Sequence, residues 1–199
     1  MNEHRQAVAR EHILALSEAL QRSADALALR AAEYAERVIA TFDGGGRLLM
    51  CGNGGSAANV EHIATEYVIR FKRDRRPLPA IALTAGSAQL TASANDFGYE
   101  MAFVRPLTAF GRRGDLLVLH STSGESDNLL AAAVEASRMG IGTVALLGEH
   151  GGRLGPIVDL PILVPSGETA RIQEIHLALE HAVADLVDEH YAADSHAGE

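Results

Sequence analysis

Tryptophan is absent from the 199 residues, and aromatic residues make up only 5% of them. An aromatic platform for stacking bases or sugar rings therefore has little raw material. Cysteine is almost missing too. Cys51 stands alone, which excludes an internal disulfide and fits a reducing compartment. Positive charge is in deficit: 17 Lys and Arg face 26 Asp and Glu, a net charge of −9. That balance argues against nucleic acid and anionic membrane as partners, because both need a local positive field. It leaves room for a small anion, since the N–H groups that open a helix hold phosphate whatever the net charge. No apolar run reaches the ~20 residues of a membrane span. The opening MNEHRQAVAREH is too polar for a secretory signal, so the expected compartment is the cytosol.

What is present is ordinary for one globular domain, with 47% hydrophobic and 22% charged residues. Residues 3–24 and 26–42 carry apolar side chains at helical spacing and read as two N-terminal helices, ended by Gly44-Gly45-Gly46. Five short apolar runs follow, at 47–52, 80–84, 116–120, 143–147 and 160–164. Helical patterns separate them at 56–72, around Leu90, at 100–110 and at 126–139, and a last helix covers 169–192. Strands alternating with helices imply a parallel sheet covered on both faces, an α/β sandwich in a single domain over 1–199. Within it, 1–44 holds the leading helices, 45–192 the α/β core, and 193–199 a small polar tail expected to fray. The basic run RFKRDRR (70–76) reads as a solvated helix end.

Two polar turns lie at strand ends, where such sheets bind ligands. Gly52, Gly54 and Ala57 satisfy a dinucleotide pattern between strand and helix. The acid that would hold a ribose is missing from the end of the next strand, Ala82-Leu83-Thr84, so that reading fails. The second turn, Ser121-Thr122-Ser123-Gly124-Glu125-Ser126, offers four hydroxyls where capping a helix needs one, and suits a phosphate monoester. On the helix after the first turn, His62 and Glu66 are four apart and share a face, with Glu61 about 100° away. The last helix reads RIQEIHLALEHAVADLVDEH. Ile172, Ile175, Leu179, Val183 and Leu186 form its expected buried stripe, with Gln173, Leu177, His181 and Ala184 beside it. His62, Glu66, Gln173 and His181 together suit a divalent metal, zinc above all by its His and carboxylate ligands. His176 with Glu180 is a competing pair, read as solvated.

GNGGSAANVEHIATE, NDFGYE, STSGES and RIQEIHLALEH occur in this order across essentially the whole chain. Together they closely resemble the phosphoheptose isomerase family, within the sugar-isomerase (SIS) fold. The resemblance implies a flavodoxin-like three-layer sandwich on a five-stranded parallel sheet. It implies conversion of sedoheptulose 7-phosphate to D-glycero-D-manno-heptose 7-phosphate through an enediol, in the making of heptose for lipopolysaccharide core or similar glycans. Asn53, Gly54, Gly55, Ser56, Asn95 and Asp96 would line the pocket, and Ser121, Thr122, Ser123 and Ser126 would bind phosphate. His62, Glu66, Gln173 and His181 would hold one zinc ion, with Glu66 as base and His181 as acid. Arg70 matches an arginine near the site. A homotetramer with active sites at subunit contacts is implied as well. Ala170 departs from the pattern, standing where some members carry an acid. The alternatives are an isomerase of another phosphoketose and a non-catalytic SIS protein that binds a partner. Related regulators of the second kind depart from the His/Glu pattern that is intact here.

Overall fold

Each apolar run becomes one strand of an all-parallel sheet because its side chains alternate between two covered faces. The computed structural model describes residues 2–195, with the side chains of 193–195 excepted. The strands are β1 (Leu48–Gly52), β2 (Ala80–Ala82), β3 (Leu116–Ser121), β4 (Gly142–Leu147) and β5 (Leu160–Leu163). The helices are α1 (Glu3–Asp43), α2 (Gly55–Val68), α3 (Ser87–Phe97), α4 (Val104–Phe110), α5 (Asp127–Met139) and α6 (Thr169–Ser195). Strand order is β2-β1-β3-β4-β5. The chain reverses its direction of travel between β1 and β3, and a ligand crevice opens beyond the strand ends there. Both polar turns leave that point.

Leu48 and Met50 of β1, with Val118 and Val144, face a core completed by Val38, Val60, Ile63 and Val183 from α1, α2 and α6. Leu49, Cys51, Leu117 and Leu119 face the opposite core, closed by Phe103, Leu107, Leu129 and Ala133. This is the expected three-layer α/β sandwich. Burial raises the Cys51 thiol far above its ordinary range and leaves it an inert core residue. No helix among the described residues is long and apolar enough to cross a membrane.

Four local expectations are corrected. The two leading helices are one, α1, of 41 residues. No glycine or proline interrupts the join, and the buried Ser23 hydroxyl donates to Ala19 O at 2.7 Å instead of starting a new helix. The basic run is a packed loop, because α2 stops at Val68 and Arg75 is buried against Asp188 of α6. The stripe of α6 runs on through Val187 and Tyr191, leaving Leu186 exposed at 41%. The fourth concerns His176 and Glu180, which are both fully buried. Lying between the sheet, α1 and α2, α6 buries a face wide enough to include them. Glu180 accepts from Tyr34 Oη at 3.2 Å and from His120 Nε2 at 2.7 Å. Of the tail expected to fray, residues 193–195 continue α6, and 196–199 lie outside the described residues.

The burial of His176 has a measurable consequence. Desolvation, with the neighbouring His120 adding to it, lowers its pKa from 6.5 to about 3. Its Nε2 donates to Leu147 O at 3.3 Å. Above pH 6.5 the ring is neutral both folded and unfolded, so its contribution is fully present. As pH falls towards 3, only the unfolded chain takes up the proton, and stability drops. By pH 4.5 this one group removes about 2–3 kcal/mol. In urea titrations, the wild type is expected to lose that much more than His176→Gln between pH 7 and 4.5. Equal losses would show that the ring charges freely in the fold.

Candidate active site

The turn after β1 has a backbone that its sequence explains. Gly54 adopts φ +56°, ψ −121°, a conformation that residues with a Cβ rarely take. A Cβ on Gly55 would lie 2.6 Å from Gln173 Oε1, so the glycine lets α6 close on the start of α2. Asn53 is held by a reciprocal amide pair with the buried Asn128, at 3.0 and 2.9 Å. It also accepts from Tyr99 Oη at 2.9 Å. Among the described residues, the second N–H of its carboxamide meets no acceptor and can face a ligand. These residues wall a cleft of about 540 Å³ that reaches Ser126.

The turn after β3 is built from its own hydroxyls. Buried Ser121 accepts the Gly124 N–H at 3.0 Å, and Ser123 accepts the Glu125 N–H at 3.2 Å. Ser126 takes the N-cap position of α5, yet its hydroxyl makes no capping bond. Ser126 thus leaves its capping role unfilled, and the helix's opening N–H groups have no side-chain cap from it. A phosphate there meets N–H and hydroxyl donors together. Thr122 and Ser123 also line a second cleft, with Thr169 and Ile172 across from them.

The ionisable cluster lies further along α2. Its Nε2 atoms, of His62 and His181, are 3.1 Å apart, and Glu66 Oε1 is 3.4 Å from His62 Nε2. Phe71 stacks on the His181 ring at 5.2 Å and 10°, fixing its plane. Burial first, then the proximity of His62, lowers the His181 pKa, so the ring is neutral at pH 7. Gln173 lies two turns before His181, with its carboxamide against Gly55 and its own backbone carbonyl accepting from Asn59. No hydrogen bond joins its side chain to the cluster. Ser56 is buried at the head of α2. Arg70 is exposed just past α2, without an ion pair among the described residues. Asn95 and Asp96 are exposed at the end of α3, bonded to each other at 2.8 Å. The sequence reading did not single out Asn128, Tyr99 or Phe71, whose partners are all distant along the chain.

A family model for the SIS domain matches residues 11–148, which contain both turns and α2. Relatives extend the match into α6. A phosphoheptose isomerase of Geobacter metallireducens is 46% identical over 94% of this chain and 97% of its own. One from Roseiflexus sp. is 52% identical over 77% of this chain and 78% of its own. The chain belongs to the phosphoheptose isomerase family. Solved family structures agree with the fold in detail. The phosphoheptose isomerase of Neisseria gonorrhoeae superposes with a TM-score of 0.87 at 36% identity, covering 92% of this chain and 98% of that one. That of Francisella tularensis gives 0.87 at 32% identity, with the same coverage. The general SIS match ends before α6, which the span of the Geobacter metallireducens relative reaches.

Proposed function

We propose that this protein interconverts sedoheptulose 7-phosphate and D-glycero-D-manno-heptose 7-phosphate by proton transfer, with Glu66 as base and His181 as acid. The observation that carries this is the meeting of His62, Glu66 and His181 between α2 and α6, in a chain of the phosphoheptose isomerase family. The phosphate sits at Ser121, Thr122, Ser123 and Ser126, and the sugar chain runs along Asn53–Ser56. Asn95, Asp96 and Arg70 supply outer contacts. Glu66 Oε2 has no hydrogen bond among the described residues and takes the proton from C1, returning it at C2. His181 gives a proton to the C2 carbonyl oxygen as the enediol forms and takes back the proton of the C1 oxygen as the aldehyde forms, so both groups end the cycle as they began it. Such groups each contribute ~10²–10⁴-fold.

One spacing in the cluster supports the reading that it takes a zinc ion, although among the described residues no three His, Cys, Asp or Glu already stand as a metal site. Two imidazole nitrogens bound at about 2.0–2.1 Å in a tetrahedron stand roughly 3.3 Å apart. The observed 3.1 Å between the two Nε2 atoms matches that spacing, with a carboxylate beside them. His62, Glu66 and His181 would hold the ion, and its chemistry there would be Lewis-acid polarisation of the substrate's oxygens. Gln173, whose carboxamide lies against Gly55, would have to swing along α2 to serve as fourth ligand.

The same placement supports assembly into an oligomer. Glu66 is eleven residues beyond Gly55, about 16 Å along α2, so the cluster stands away from its own strand ends. Exposed Val8, Ile13, Leu14 and Leu29 stud α1, the kind of surface that subunit contacts cover. A homotetramer with sites at its contacts accommodates both features. The lone buried thiol fits an enzyme of the cytosol.

Incubation with zinc and phosphoketoses of five to seven carbons tests the reading. The highest kcat/KM is expected for sedoheptulose 7-phosphate, with the heptose product identified by chromatography. No conversion, or equal rates across the series, would overturn the assignment.

A further inference from the structure

The phosphate turn contains an electrostatic contradiction. Glu125 sits within it and Asp127 is the first residue of α5, so two carboxylates flank the place proposed for a dianion. The turn is also clamped by the loop after β4. A Cβ on Gly124 would lie 2.1 Å from Gly151 O, one on Gly152 would lie 2.4 Å from Ser123 O, and the Leu154 N–H donates to Gly124 O at 3.0 Å. Backbone on backbone, this contact delivers Arg153 to the turn.

Arg153 then engages both acids. Its N–H and Nε donate to the two carboxylate oxygens of Glu125 at 3.1 and 2.8 Å. Its Nη2 donates to Glu125 O at 3.0 Å and to Asp127 Oδ1 at 2.7 Å. The three side chains are 58%, 52% and 73% exposed. Exposed pairs of this kind contribute little to stability. Four bonds from one arginine onto two acids that share a turn call for another explanation.

We propose that Arg153 is a positioning residue for substrate phosphate, holding Glu125 and Asp127 in place and offsetting one of the two negative charges they would set beside the turn. This rests on the phosphate reading of residues 121–126. Arg153→Gln takes the local charge beside the dianion from −1 to −2, which raises KM about five- to twentyfold at surface-like screening. The turnover number stays within about twofold, because the proton-transfer groups lie on α2 and α6. The melting temperature does not move. Raising NaCl to about 0.5 M shrinks the difference. Adding Glu125→Gln and Asp127→Asn to Arg153→Gln takes the local charge to zero, against −1 in the wild type, and brings KM back to the wild-type value or below it.

The test is steady-state kinetics on these variants, with inorganic phosphate as a competitive probe. The inference is overturned by an unchanged KM in Arg153→Gln, by a loss confined to kcat, or by a triple variant that stays weak. The last result would make Arg153 a direct phosphate ligand. Phosphate that fails to compete in the wild type removes the phosphate reading itself. Phosphate that competes equally in wild type and Arg153→Gln removes only the role of Arg153.

Discussion

Glu66→Gln is expected to lower kcat for sedoheptulose 7-phosphate by ~10²–10⁴-fold while leaving the fold intact. Gln matches Glu in shape, so helix α2 and the approach to His62 are undisturbed. What disappears is the basic oxygen. Glu66 is only 21% exposed in its side chain, dry enough to act on a C–H bond yet open to a substrate. Its partner His181 is held neutral by burial and in plane by Phe71. The decisive measurement pairs kcat with the exchange of the substrate's C1 proton into heavy water. Both should fall together, since the same oxygen removes and returns that proton. Near-normal turnover in the variant would assign the base elsewhere.

Local signals carried the fold a long way. Apolar runs of about the right length, separated by helical periodicity, gave all five strands and their parallel arrangement. Glycines and hydroxyls at strand ends marked both turns before any contact was known. The spacing of His62 and Glu66 placed them on one helix face, the line beside the α6 stripe singled out Gln173 and His181, and the family resemblance assigned their roles. The features that escaped were pairings between distant residues. Asn53 meets Asn128 across 75 positions, and Tyr34 meets Glu180 across 146. A signal for the second was nonetheless present. Glu180 follows His176 by one helical turn, and His120 ends the otherwise apolar run Leu116–Leu119. An ionisable group inside such a stripe calls for a buried partner rather than for solvent. Helix faces also widen with the number of neighbours, which periodicity in a single helix does not register. Lying against the sheet and two helices, α6 buries residues that an amphipathic reading assigns to water.

The basic run failed for the same reason, and it carries the largest expected effect on stability. Arg75 and Asp188 have side-chain exposures of 0% and 1%. Asp188 Oδ1 accepts from Arg75 Nε at 2.8 Å, while its Oδ2 accepts the Lys72 and Arg73 N–H groups at 2.7 and 3.0 Å. The guanidinium continues to the Tyr67 and Glu66 carbonyls, both at 2.8 Å, and so caps the end of α2 that has no helical partner. Breaking such a pair from one side strands a buried charge, and Asp188→Leu or Arg75→Met is expected to cost about 3–5 kcal/mol. Arg75→Met/Asp188→Leu should cost less than the sum of the single changes, because neither charge is then left alone. Urea unfolding of the wild type, the singles and the double closes the cycle, and additivity would mean that the pair is not coupled. The same pair bears on catalysis. The loop it anchors carries Arg70 and Phe71, and the carbonyl it caps belongs to Glu66. In the double variant, stability partly returns but the cap does not, so kcat should stay depressed where the protein is fully folded. Recovery of both together would reduce Arg75 and Asp188 to a structural tie.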